Sequence, residues 1–111
     1  MSERTQTVGH RRFVRLPVAV PVVRRAGQVG ETELRGTVRN ISGGGLMVEF
    51  PIPLGPESRV HLVLHTRRGP LPVKGYVAWA GPAGSAIRHG IAFEEAKGHD
   101  FARTLFHEEN R

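Results

Sequence analysis

Cysteine is absent from this 111-residue chain, which excludes a disulfide framework and any thiolate-bound metal. Aromatic residues are scarce at 6%, with one Trp and one Tyr, so a groove paved with base-stacking rings is not available. Asp100 is the only aspartate, and no pair of carboxylates presents itself for acid–base work. No run approaches the roughly 20 apolar residues of a bilayer-spanning helix. The polar start of the chain has no apolar h-region. The expected address is therefore the cytoplasm, with no membrane insertion.

What is present is apolar enough, at 39% hydrophobic residues, for one modest core, and the 14 Gly and 8 Pro divide the chain often. The formal net charge is +6, and 14 of the 16 basic residues are Arg, the exceptions being Lys74 and Lys97. Arginine dominates where planar groups or phosphates are gripped, although codon bias produces the same excess. The charge is also uneven. Residues 1–30 hold six Arg (4, 11, 12, 15, 24, 25) against the single acid Glu3, whereas five acids face three cations from Glu94 to Arg111. An anionic partner is expected at the front of the chain.

Residues 1–10 read as a flexible arm and 11–111 as one domain, built of strands between about 16 and 94 and a helix over about 97–108. The expected strands are Leu16–Arg25, Thr32–Ile41, Leu46–Phe50, Arg59–Thr66, Leu71–Ala80 and Ile87–Glu94, each bounded by Gly, Pro or Ser turns. On them Leu34, Gly36, Val38 and Asn40 share one face, as do Val60, Leu62 and Leu64, then Leu71, Val73, Val77 and Trp79, then Ile87, Ile91 and Phe93. Phe101, Ala102, Leu105 and Phe106 form one stripe of the helix, which is expected to lie across an open end. The fold class is all-β with one C-terminal helix: six antiparallel strands in a small barrel or sandwich.

Chemistry-bearing residues are few. The six His are scattered, and His61 and His65 lie four apart in a strand without a further ligand, so no metal site is expected. Ser42 lacks a nucleophile-elbow context, and no Gly-Lys-Ser/Thr follows the triple glycine. The chain is not expected to be an enzyme. Two clusters remain. In Arg11-Arg12-Phe13-Val14-Arg15, guanidinium groups can converge on one anion, each offering a bidentate fork to phosphate oxygens or a guanine edge. The same run also reads as a solvated charge cluster. In Asn40-Ile41-Ser42-Gly43-Gly44-Gly45, an amide and a hydroxyl stand beside glycines that reach positive φ and let a flat ligand approach. Asn and Ser satisfying their own turn is the plainer alternative.

Taken together, Arg-x-x-x-Arg (Arg11, Arg15) followed about 25 residues later by Asn-x-Ser-x-x-Gly (Asn40, Ser42, Gly45) resembles the signature of the PilZ domain family. Arg15-Leu16-Pro17-Val18, Val77-Ala78-Trp79, Gly90-Ile91-Ala92-Phe93 and the C-terminal helix agree with it, so the resemblance covers residues from about 10 to 107. It implies a six-stranded antiparallel β-barrel that binds cyclic di-GMP, a bacterial second messenger with two guanines and two phosphates, and needs no cofactor. It assigns Arg11, Arg12 and Arg15 to phosphates and guanine edges, Asn40 and Ser42 to a guanine, and Gly43, Gly44 and Gly45 to close backbone approach. Asp is common in the family where Asn40 stands. Trp79 resembles an aromatic that stacks near the ligand, and reads equally as a core plug. The implied role is a receptor that signals by contact with an unidentified protein partner in motility, polysaccharide or regulatory machinery. The alternatives are an interaction module that binds no nucleotide, or a basic barrel for single-stranded nucleic acid. The shortage of aromatics argues against the last.

Overall fold

A computed structural model describes residues 14–27 and 31–111. The arm of residues 1–10, together with Arg11 and Arg12, lies outside the described residues. Six strands, β1 (Leu16–Arg24), β2 (Leu34–Ile41), β3 (Gly45–Phe50), β4 (Arg59–Thr66), β5 (Gly69–Ala83) and β6 (Ala86–Phe93), close into an antiparallel barrel in the order β1-β2-β3-β6-β5-β4. One helix, α1 (His99–Glu109), follows. The expected fold class and order of elements stand, with strand ends revised: β2 starts at Leu34, and β5 already opens at Gly69 because Gly69 and Pro70 pair with Thr66 and His65. β5 runs on through Gly81 and Pro82 to Ala83, because those residues pair with Arg88 and Ile87, and the turn into β6 narrows to Gly84 and Ser85.

Alternation fills the barrel. Val18, Val20 and Val22 of β1, Val60, Leu62 and Leu64 of β4, and Val48 and Phe50 of β3 are all buried. Each such side chain contributes about 1.5–3 kcal/mol when taken out of water. The inward face of β6 carries His89, Ile91 and Phe93, while Ile87 is only half-buried. His89 is thus a core residue, although its type suggests a surface one. It replaces an apolar plug at the end of the barrel opposite α1, against the edge of Phe50.

That buried imidazole is fully used. The Leu54 N–H donates to His89 Nε2 at 3.0 Å, so the proton sits on Nδ1, which donates to the Ile87 carbonyl at 3.1 Å. Burial pushes the His89 pKa below its ordinary value, and the Ile87 and Val48 backbone pulls the other way more weakly. The loop from Pro51 to Ser58 is pinned over this end by the Leu54 bond.

The helix covers the other end. Its Ala102 and Leu105 are buried and Phe101 meets Phe93 edge-on at 5.9 Å. Asn110, just past the helix, donates from Nδ2 to the Pro17 carbonyl (3.3 Å), and Glu109 accepts from the Arg67 N–H (2.7 Å). Contacts with β1, β6 and the β4–β5 turn set the helix across the opening, as its apolar stripe predicts. Among the described residues no helix is long and apolar enough to cross a membrane.

Candidate functional site

Three irregularities in strand pairing shape the outer wall. Between β1 and β2, Pro17 pairs with Asn40 and Val20 with Val38, so β1 carries one extra residue. Between β2 and β3, Val38 pairs with Val48 and Asn40 with Met47, so Arg39 is the extra residue of β2. Between β5 and β6, Val77 pairs with Ile91 and Trp79 with Gly90, which makes Ala78 the extra residue of β5. A bulge of this kind re-aims the side chains that follow it.

The consequences contradict strict alternation at two positions. Val38 and Ile41 are both fully buried, three apart, and Asn40 leaves the face of Val38 for the outer surface. Val77 is fully buried but Trp79, two residues on, is 43% exposed. Trp79 is therefore no core plug. Both side chains, together with Arg15 just ahead of β1, line one shallow cavity of about 290 Å³. Ser42, Gly44 and Gly45 complete one side, and Met47, Ala78, Gly90 and Ala92 form much of the remainder.

The turn between β2 and β3 is held rigidly. Ser42 Oγ accepts from the Gly44 and Gly45 N–H groups (3.2 and 3.1 Å) and donates to the Gly45 carbonyl at 3.3 Å. Its hydroxyl thus serves its own turn, the plainer of the two sequence readings. Outside the turn, the Gly43 carbonyl accepts from Lys97 (2.7 Å) and Gly98 (3.2 Å), and the Gly44 carbonyl from Phe93 (2.9 Å). Gly43 accordingly faces the start of α1 and does not line the cavity. The expected positive φ is also absent: the glycines with positive φ among the described residues are Gly69, Gly84 and Gly98. Gly45 has a different necessity. A Cβ there would run into the Ile91 carbonyl oxygen, so only glycine lets β3 approach β6 this closely.

By contrast, the polar ends most useful to a ligand are unspent. Among the described residues neither the Arg15 guanidinium nor the Asn40 amide has a hydrogen-bond partner. One rung away, Glu49 of β3 takes Arg39 and Arg88, each at 3.0 Å from Nε. Those hydrogen bonds, Arg88 first and Arg39 second, hold the Glu49 carboxyl below the ordinary carboxylate range.

Sequence reasoning brought Arg15, Asn40, Ser42, Gly44, Gly45 and Trp79 to this cavity and missed its floor. The missed signal is the small-large alternation of Gly90-Ile91-Ala92-Phe93, whose small members face outward.

A closed antiparallel barrel whose bulged outer wall gathers an arginine, an amide and an indole around a hollow has the form of a small ligand-binding barrel. Residues 9–107 match the model of the PilZ domain, and the chain belongs to that family, one of ligand-binding and effector modules. Among solved structures it is similar to the PilZ domain with c-di-GMP of YcgR from Escherichia coli. That likeness has a TM-score of 0.66 and 15% identity over 86% of this chain and 85% of the other. It is also similar to the Bacillus subtilis inhibitor of motility (MotI/DgrA), with a TM-score of 0.64 and 17% identity over 87% of this chain and 48% of that one. The chain therefore spans about half the length of the Bacillus protein. At these identities the likeness establishes the fold. No curated protein matches the chain by sequence.

Proposed function

We propose that this chain is a cyclic di-GMP receptor that holds the nucleotide in the cavity between β2 and β5 and signals through contact with a protein partner. The observation that carries the reading is the meeting of Arg15, Asn40 and Trp79, far apart in sequence, around one hollow with their polar ends or ring face open. Arg15 supplies a fork for a phosphate or for the O6/N7 edge of guanine, and Asn40 a donor and an acceptor for the same base. Trp79 supplies a stacking face, a contact of about 1–3 kcal/mol for a base. Ser42 acts one step back, as the positioning residue of the turn. In sequence Arg11 and Arg12 complete the arginine motif and are assigned to the same ligand.

The turn also offers a route outward. Its Gly43 carbonyl is bonded to the amides immediately before α1, so a shift of the turn on binding is passed to the helix. The receptor then presents its state as a changed surface around α1, which suits an effector without catalysis of its own. The expected setting is the bacterial cytoplasm, where this messenger acts.

Calorimetric titration with cyclic di-GMP, with GMP and cyclic di-AMP as controls, tests the reading. Selective micromolar or tighter binding is expected, and Arg15→Ala should weaken it at least about tenfold with the melting temperature unchanged. Undiminished affinity in that variant overturns the site. Absence of heat from the folded wild-type protein moves the chain to the interaction modules.

A further inference from the structure

The floor of the cavity holds a residue with a role of its own. Trp79 and Gly90 are paired across β5 and β6, and Gly90 is paired in turn with Met47 of β3, so the three form one outward row. A Cβ built on Gly90 would fall within the indole. Nε1 lies nearest, and Cε2 and Cδ1 follow at 2.5 and 2.6 Å. These are consecutive atoms of the five-membered ring, so that ring lies over the Gly90 Cα. The indole is thus laid back across β6, with one side against the sheet while the residue as a whole stays 43% exposed.

We propose that Gly90 is the positioning residue for Trp79, a seat that presents the outer face of the indole to a planar purine base. The inference rests on the receptor reading above and assigns the purine-stacking surface within it. Two devices cooperate. The bulge at Ala78 turns Trp79 out of the barrel, and the bare Cα of Gly90 lets the ring lie down instead of standing into solvent. Side-chain tilt matters because base stacking depends on the orientation and separation of the two planes. A methyl group at position 90 meets the five-membered ring of Trp79 and no backbone atom among its three nearest neighbours, so it must displace the exposed ring while the ladder itself is not opposed.

The chain has one Trp, which makes its fluorescence a direct report on the seat. The experiment uses the full chain as wild type, Gly90→Ala, Trp79→Ala and the double variant, each followed by acrylamide quenching where Trp79 remains, by thermal melting and by cyclic di-GMP calorimetry. In the ligand-free protein Gly90→Ala is expected to raise the quenching constant of Trp79. Trp79→Ala is expected to bind about tenfold more weakly, Gly90→Ala about three- to tenfold more weakly, and the double variant no more weakly than Trp79→Ala. Wild-type quenching and affinity in Gly90→Ala overturn the proposal, as does a double variant whose losses multiply. Should Gly90→Ala fail to fold, the double variant decides: with the indole gone it must fold, and a second failure means that Gly90 serves the backbone. Wild-type protein that does not bind overturns the receptor reading and this role with it, an outcome distinct from failure of the cycle alone.

Discussion

Strands β4 and β5 lie side by side in the barrel and use their side chains differently. β4 alternates without interruption, with Val60, Leu62 and Leu64 buried and Arg59, His61 and His65 exposed. β5 follows the same rule through Val73 and Val77, then inserts Ala78 and turns Trp79 outward. β2 does the same at Arg39, just before Asn40. The β3–β6 ladder between the two bulged seams is unbroken from Gly45↔Ala92 to Phe50↔Ile87. An even ladder makes a wall, and an interrupted one makes a site. Here two interrupted seams flank one continuous floor, so Asn40 and Trp79 are turned outward on either side of an unbroken β3–β6 ladder.

Two glycines on that floor offer the sharpest way to break the comparison. A Cβ at Gly45 meets backbone only: the Ile91 oxygen, the Ile91 carbonyl carbon at 3.0 Å and Ala92 Cα at 3.2 Å. Gly45→Ala must therefore force β3 from β6, and is expected to cost about 3 kcal/mol or more in urea denaturation. Gly90→Ala, which meets a side chain, is expected to stay within about 1 kcal/mol of wild type in the same experiment. Equal losses would erase the distinction between a glycine required by the ladder and one required by the indole.

The next effect contrasts the two ends of the barrel. One is closed by α1, tied down by the Glu109 and Asn110 side chains and by the amides just before the helix; the other is closed by a loop whose middle is held by one imidazole at Leu54 and whose end is bonded through Glu57 and Ser58 to the Val77 backbone. His89→Ala opens a cavity and orphans the Leu54 N–H, and is expected to cost about 2–3 kcal/mol. The pKa of His89 is lowered in the folded protein, so its neutral form stabilises the fold at pH values above the ordinary histidine range. That contribution is lost as pH falls through the lowered folded value. Denaturation from pH 8 to 5 should show the decline in wild type and a flatter profile in His89→Ala. Parallel profiles would remove the imidazole from the account.

The same contrast explains what was legible. The barrel, its strands and the helix follow from period-2 and helical patterning, which β4 and α1 obey throughout and which the burial of β1 keeps across its irregular pairing. Arg15, Asn40 and Ser42 were legible because they form a spaced motif. The outward turn of Trp79 was not, since the residue inserted in β5 reverses the faces after it and nothing in Val77-Ala78-Trp79 marks Ala78 as the extra one. His89 was missed for the opposite reason. It obeys alternation with Ile91 and Phe93 perfectly, and only its residue type disguised it. Ser42 lines the cavity as its motif suggests, but the sequence does not reveal that its hydroxyl also holds the Gly44 and Gly45 amides of its own turn.

The smallest expected effect lies just beyond the site, where Glu49 ties β2 to β6 across β3 through Arg39 and Arg88. Its carboxylate is mostly covered, but both arginines are about half exposed, so solvent screens the pairs. Glu49→Gln keeps the shape and removes the charge, and is expected to cost less than about 1 kcal/mol at pH 7 and low salt, and less again as salt is added. The folded pKa of Glu49 is depressed, so its contribution is present above the ordinary carboxylate range and is lost as pH falls through the lowered value. Wild type and Glu49→Gln should therefore converge in stability only as pH falls through that lowered value, where the folded protein too loses the carboxylate charge. The same variant releases Arg39 and Arg88 beside the cavity. If the three residues serve only the wall, cyclic di-GMP affinity stays within about twofold of wild type. A larger change, in either direction, would show that the continuous floor carries charge to the ligand as well as shape, and the division between wall and site would have to be redrawn one rung lower.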